Sequence, residues 1–157
     1  MRECVLVVHN IRSAHNVGSM FRTADGAGVS RIILSGYTPG HTDPRGKERA
    51  PFIKVSLGAE KIVPYSRSKT LSGALKKLKQ EGYTIVALEQ NEHSTSLFDY
   101  TLVPNAKLAV VMGNEVRGIN KLSLKHADHV LHIPMHGKKE SLNVGVAAGI
   151  ALFTLLK

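Results

Sequence analysis

The chain has 157 residues, 21 lysines and arginines against 12 aspartates and glutamates, a formal net charge of +9 at pH 7, eight histidines and one cysteine. That length suits one domain burying roughly two thirds of its unfolded surface, and a lone cysteine excludes both an intramolecular disulfide and a cysteine-rich zinc site. Basic charge spread along the whole sequence favours a polyanionic partner, nucleic acid foremost, whereas a membrane surface would call for a basic amphipathic segment that is not found.

The opening stretch MRECVLVVHN is too short in apolar residues for a secretory signal and leads directly into a strand-like run at 4–9, so a cytoplasmic location is expected. Cys4 within it reads as a small buried hydrophobe. Further Val/Ile/Leu-rich runs follow at 31–35, 61–66, 83–89, 108–113 and 129–134. Most are apolar at successive rather than alternate positions, as in strands covered on both faces. An α/β fold follows, a parallel sheet with helices on both sides.

Between the first two runs, Val17, Met20, Phe21 and Ala24 fall at i, i+3, i+4 and i+7, with Asn16 placed to cap the helix and Gly26 and Gly28 placed to end it. On this wheel Arg22 lies opposite the apolar stripe and points away from the sheet. Leu71, Leu75 and Leu78 define a second helix, with Ser68 or Thr70 as cap and Gly82 as stop; Ile119 and Leu122 suggest a short third. The last helix, Ser141 to Leu156, is apolar in nearly every direction, yet the run at 142–156 is interrupted by Asn143 and Thr154 and falls short of a membrane span. Its outer cover is expected to be a second copy of the chain, with Gly145 and Gly149 one turn apart for close backbone approach; a homodimer is therefore expected. The segments 36–51 and 135–141 read as functional loops, and residues 1–157 as a single domain without RNA-binding extensions.

DGAGVS closes a helix and precedes a strand, so Gly26 and Gly28 are a cap and turn, not a dinucleotide fingerprint, and no P-loop occurs. His126, His129 and His132 recur at steps of three, which alternate faces on a strand, and no metal is expected.

Three stretches concentrate polar groups where strands end and helices begin: HNIRSAHNVGSMFRTADGAGV, VVMGNEVRGIN and HIPMHGKKESLNVGVAAGIALF. The carboxyl ends of parallel strands, beside a helix N-terminus, are where open α/β sheets hold ligands. Taken singly each stretch has an ordinary explanation: Ser141 and Asn143 as caps, Glu115 as a turn residue, Arg22 paired with Asp25. Together, N-x-G-x-x-x-R, M-G-N-E-x-x-G and I-P-M followed by S-L-N-V resemble the three motifs of the SPOUT RNA methyltransferases, SpoU/TrmH branch, from Val5 to Leu156.

The resemblance implies a sheet whose C-terminal part is tied in a deep trefoil knot, a dimer, and transfer of a methyl group from S-adenosylmethionine to a ribose 2′-hydroxyl of tRNA or rRNA. It assigns the cofactor to Leu88, Gly113, Ile133, Pro134, Met135 and Leu142, and catalysis to Arg22. Asn16 and Asn143 would orient Arg22 and the ribose, Glu115 would fix the motif loop or the guanidinium, and Ser141 would position the cofactor end. Neutralising any guanidinium at pH 7 costs about 9 kcal/mol, so a charged arginine that grips phosphate and stabilises the developing alkoxide is the cheaper role than general base. Candidate phosphate contacts are Arg12, Arg45, Lys47, Arg49, Arg117, Lys138 and Lys139. A non-catalytic RNA-binding or ribosome-assembly factor, an RNA base methyltransferase and a nicotinamide-dependent enzyme stay open as alternatives, the last weakened by the missing glycine fingerprint.

Overall fold

The structure, a computed structural model, describes residues 3–157. Seven strands, β1 (Cys4–His9), β2 (Arg31–Ser35), β3 (Tyr65–Ser68), β4 (Tyr83–Leu88), β5 (Thr95–Ser96), β6 (Lys107–Met112) and β7 (His129–His132), form one sheet in the order β3-β2-β1-β6-β4-β7-β5. Every pairing is parallel. All strand carboxyl ends therefore share one edge, and the direction of build-up reverses where β1 meets β6.

Successive residues of a strand face opposite sides, so β1, buried along its whole length, feeds two cores. Leu6 and Val8 pack with Met20 and Phe21 of α1 (Ala14–Ala27) and with Ala148 and Leu152 of α6 (Val144–Leu155). Val5 and Val7 pack with Leu71, Leu75 and Leu78 of α4 (Leu71–Gln80). Two short helices, α2 (Ala50–Ser56) and α3 (Ala59–Ile62), lie between β2 and β3, and α5 (Lys121–Leu124) precedes β7.

Three expectations are corrected. The run 61–66 is not one strand: Ala59–Ile62 is a helical turn, and β3 starts at Tyr65 as a polar edge strand paired only with β2. Asn16 does not cap α1; Ser13 does, its hydroxyl accepting from Asn16 N at 3.1 Å, which moves the start upstream and leaves the Asn16 side chain inside the first turn. Gly145 and Gly149 face α1 of their own chain, where a Cβ would meet Ser19 Oγ at 3.4 Å and Thr23 Cγ2 at 3.6 Å respectively. The outer side of α6 is instead marked by exposed Val146 and Phe153. Among the described residues no helix is long and apolar enough to cross a membrane.

Candidate active site

A crevice of about 480 Å³ opens at the carboxyl edge of the sheet. Its walls come from the ends of β4, β6 and β7 and the start of α6: Leu88, Met112, Ile133, Met135, Leu142, Val144 and Ala147 supply apolar surface, and Glu89, Asn114, Glu115, His132 and Ser141 supply polar groups. Such a volume and such a mixture suit a small-molecule ligand with both an apolar and a polar part. In a chain of formal net charge +9, no lysine or arginine is among the lining residues, while Glu89, Glu115 and Glu140 are. The pocket is thus tuned for a ligand carrying positive charge.

The loop after β6 is rigid by construction. Asn114 Oδ1 accepts from Val116 N at 3.0 Å and Arg117 N at 2.8 Å, and Gly118 N donates to Asn114 O at 2.9 Å, closing a tight turn. Gly113 is required because the chain folds back over it: a Cβ there would lie 2.5 Å from Ile119 Cγ1 and 2.7 Å from Gly118 C. Glu89 ties the turn to the end of β4, one carboxylate oxygen accepting from Ile119 N at 2.7 Å and the other from Gln90 N at 3.1 Å. Glu115 reaches the other way, accepting from Arg12 N at 3.3 Å and Ser13 N at 3.4 Å at the start of α1, where the helix dipole favours negative charge.

Asn143 caps α6, its Oδ1 accepting from Gly145 N at 2.9 Å, and its amide nitrogen donates to Asn16 Oδ1 at 3.1 Å. Asn16, Glu115 and Asn143 thereby join α1 to both later motif loops. His132 Nδ1 lies 3.0 Å from Ser94 Oγ, which orients the ring at the crevice wall. Beneath the rim, His9 at the end of β1 is buried beside Ser35 Oγ at 3.1 Å, and burial holds its imidazole below the usual histidine range.

Of the sequence candidates, Leu88, Gly113, Glu115, Ile133, Met135, Ser141 and Leu142 line the crevice, and Pro134 does not. Arg22 stands apart. It is exposed, in a second hollow with His15, Ser19, Thr23, Gly26, Val55 and Phe153, because six residues of helix carry it about 9 Å beyond Asn16. Arg12, Arg117, Lys138 and Lys139 are exposed around the crevice loops. Arg45 and Lys47 project from a turn whose backbone N–H groups are held by Asp43 Oδ1 at 2.8 and 2.9 Å, whereas Arg49 turns back, Nε donating to Thr42 O at 3.3 Å. Glu89, Asn114 and His132 also line the crevice, although the sequence reading assigned none of them to the site; the available signal was a polar residue at or just beyond the carboxyl end of an apolar run. No group of three or more His, Cys, Asp or Glu among the described residues is arranged to hold a metal ion.

Fold and site together define a parallel-sheet α/β domain with a ligand crevice at the carboxyl ends of β4, β6 and β7. Residues 3–153 match the model of the SpoU rRNA Methylase family, and the chain belongs to that family. It is 35% identical over 153 residues to the 23S rRNA (guanosine-2′-O-)-methyltransferase RlmB of Pasteurella multocida, covering 98% of this chain and 59% of that protein. To RlmB of Neisseria meningitidis it is 36% identical over 148 residues, covering 94% and 56%. Among solved structures, the AdoMet-bound rRNA methyltransferase from Sinorhizobium meliloti superposes with a TM-score of 0.84 at 28% identity, over 97% of this chain and 55% of that one. The A. aeolicus TrmH/SpoU tRNA modifying enzyme superposes with a TM-score of 0.84 at 25% identity, over 99% and 75%. The chain thus spans a little under three fifths of the length of the curated relatives it matches.

Proposed function

We propose that this chain transfers a methyl group from S-adenosylmethionine to a ribose 2′-hydroxyl of RNA, with ribosomal RNA as the favoured substrate class, and that residues 3–153 act as one methyltransferase domain. The observation that carries this reading is the crevice itself: apolar walls, carboxylates and no basic lining residue, assembled from the motif loops of a chain 35% identical to an RlmB across 98% of its length. The cofactor fits these walls, since aliphatic side chains of Leu88, Ile133, Met135 and Leu142 can cover an adenine while Glu89, Glu115 and Glu140 favour its net positive charge. When bound, S-adenosylmethionine supplies an electrophilic methyl on a sulfonium. The protein's task is to present a sugar oxygen in line with that methyl and to stabilise the charge as the hydroxyl proton departs.

Arg22, as a charged guanidinium, suits that second task, but in its own protomer it faces a different hollow from the crevice. We read this as a site completed across a homodimer in which the exposed α1–α6 face, with Phe153 and Val146, packs against its mate and delivers Arg22 to the neighbouring crevice. The strand order, with β6 inserted between β1 and β4 before the chain passes on to β7 and α6, is compatible with the family's trefoil knot.

The test is methyl transfer from labelled S-adenosylmethionine to a 23S rRNA transcript, followed by nuclease digestion and mass spectrometry. A 2′-O-methyl nucleoside is expected; a methylated base, or RNA binding without transfer, overturns the assignment. Mixing inactive Arg22→Ala protomers with inactive Asn143→Ala protomers is expected to restore partial activity, because one of the two mixed sites then holds both native residues.

A further inference from the structure

Tyr37 is one of three exposed aromatic residues among the described ones, at 57% exposure, and it differs from Phe98 and Phe153 in being tied to the crevice. It follows β2, two strands away from β6, yet its phenol oxygen accepts from Asn114 Nδ2 at 3.0 Å across the end of β1. The same amide nitrogen donates to Asn10 O at 2.7 Å, and Asn10 Oδ1 accepts from Tyr37 N at 3.2 Å. The residue is thus held at its phenol oxygen and its backbone while more than half of it stays exposed to solvent.

The backbone has been shaped to allow this. Asn10 at φ 53° and Gly36 at φ 64° are both left-handed, and a Cβ on Gly36 would sit 1.9 Å from Asn10 Oδ1, so only glycine leaves room for the contact that seats Tyr37. On the other side of Asn114, the tight turn carries Val116 at 90% exposure and the exposed Arg117. An exposed aromatic residue, an apolar tip and a cation are therefore fixed by one asparagine at the mouth of the crevice. A solvated phenol needs no such scaffold. A planar apolar partner that must be placed relative to the crevice does.

We propose that Tyr37 is a stacking platform for a nucleobase of the RNA substrate, placing the adjoining ribose at the crevice mouth, with Arg117 on the phosphate backbone. Single-stranded or splayed nucleotides are read by proteins through stacking on aromatic rings, and stacking tolerates any base because each has a π face. The inference rests on the RNA reading above and adds to it the residue that seats the nucleotide.

The experiment compares wild type, Tyr37→Ala, Tyr37→Phe and Arg117→Ala, each as the full chain. Probes are a fluorescein-labelled single-stranded oligoribonucleotide for anisotropy titration, S-adenosylmethionine for calorimetry, and the 23S rRNA transcript for methyl transfer. Tyr37→Ala is expected to weaken oligonucleotide binding about 10-fold or more with the salt dependence of binding unchanged, because stacking displaces no counterions. Tyr37→Phe, which keeps the ring, should stay within about 3-fold of wild type, and Arg117→Ala should lower the salt slope by about one phosphate contact. Cofactor affinity should be the same in all four proteins. Wild-type RNA affinity in Tyr37→Ala overturns the platform, and so does a parallel loss of cofactor affinity, which would make Tyr37 a prop for the Asn114 turn. Methyl transfer with equal kcat/KM in wild type and Tyr37→Ala overturns the platform alone. Loss of RNA affinity specific to Tyr37→Ala in a wild-type protein that transfers no methyl group supports the platform and overturns the reaction.

Discussion

The two edges of the sheet treat charge in opposite ways. All three ion pairs among the described residues lie at the amino edge: Arg31 with Glu81 at 2.5 Å, Lys79 with Asp128 at 2.8 Å and Lys107 with Glu3 at 3.1 Å. There Tyr83 donates to Glu3 beneath the Arg31 and Lys107 side chains; burial first, then Glu3, pushes the phenol up to about 12, and the Tyr83 hydrogen bond holds Glu3 below its usual range. At the carboxyl edge Glu89 and Glu115, which line the crevice, accept from backbone N–H groups instead and fix the loops of its wall. One edge neutralises charge within the molecule, and the other keeps it for a ligand.

The largest expected effect belongs to the site proposed at the carboxyl edge, which Arg22 of a mate completes. Arg22→Ala should lower methyl transfer by about 10³-fold with S-adenosylmethionine affinity unchanged, as single-turnover rates and calorimetry would register. Glu89→Ala strips Ile119 N of its acceptor and one negative charge from the crevice, and should weaken cofactor binding about 10-fold by calorimetry. A loss of stability with intact binding would instead place Glu89 with the amino edge.

Acid should act on the two edges in separate ranges. The unfolded chain protonates His9 as pH falls through 6.5, while burial keeps the folded imidazole neutral to a lower pH. Folding stability therefore declines as pH drops below 6.5 and is insensitive to this group above it. Glu3 is held below 4.5 by Tyr83 and Lys107; Asp128 is held below 3.8, where burial opposes the shift and the Ile85 N–H and Lys79 outweigh it. Their contribution is present above those values and fades below them. Melting curves across pH should resolve both phases, and His9→Gln should flatten only the first.

Smaller effects belong to the amino edge. Tyr83→Phe should lower Tm by about 2–4 °C and leave methyl transfer unchanged. Lys79→Met, breaking a pair whose members are over a third exposed, should change stability by less than about 1 kcal/mol in denaturant titrations. Activity lost in either variant would erase the contrast.

The central strands were legible because burial on both faces leaves Val, Ile and Leu at successive positions, as in Cys4–His9 and Lys107–Met112. The edges were not: Tyr65–Ser68 is polar and Thr95–Ser96 only two residues long, so neither carries a hydrophobic signature. Arg22 was correctly read as outward-facing, since helical periodicity fixes direction. Its place relative to the Glu115 and Asn143 loops was not legible, because the contacts that seat those loops on the start of α1, Glu115 with Arg12 N and Asn143 with Asn16, span 103 and 127 residues. Tyr37 was hidden for another reason: its anchor, Asn114, lies 77 residues away, and only the closed sheet brings them together.

That closure sets an order of events. β1 is completed by β6, Cys4 pairing with Leu108, and the Asn143–Asn16 contact spans 127 residues. Contacts so remote in sequence form late and slowly. During synthesis, then, the first motif stays without its counterparts until β6 and the start of α6 have emerged, so the crevice closes only after the long segments that separate its walls in sequence.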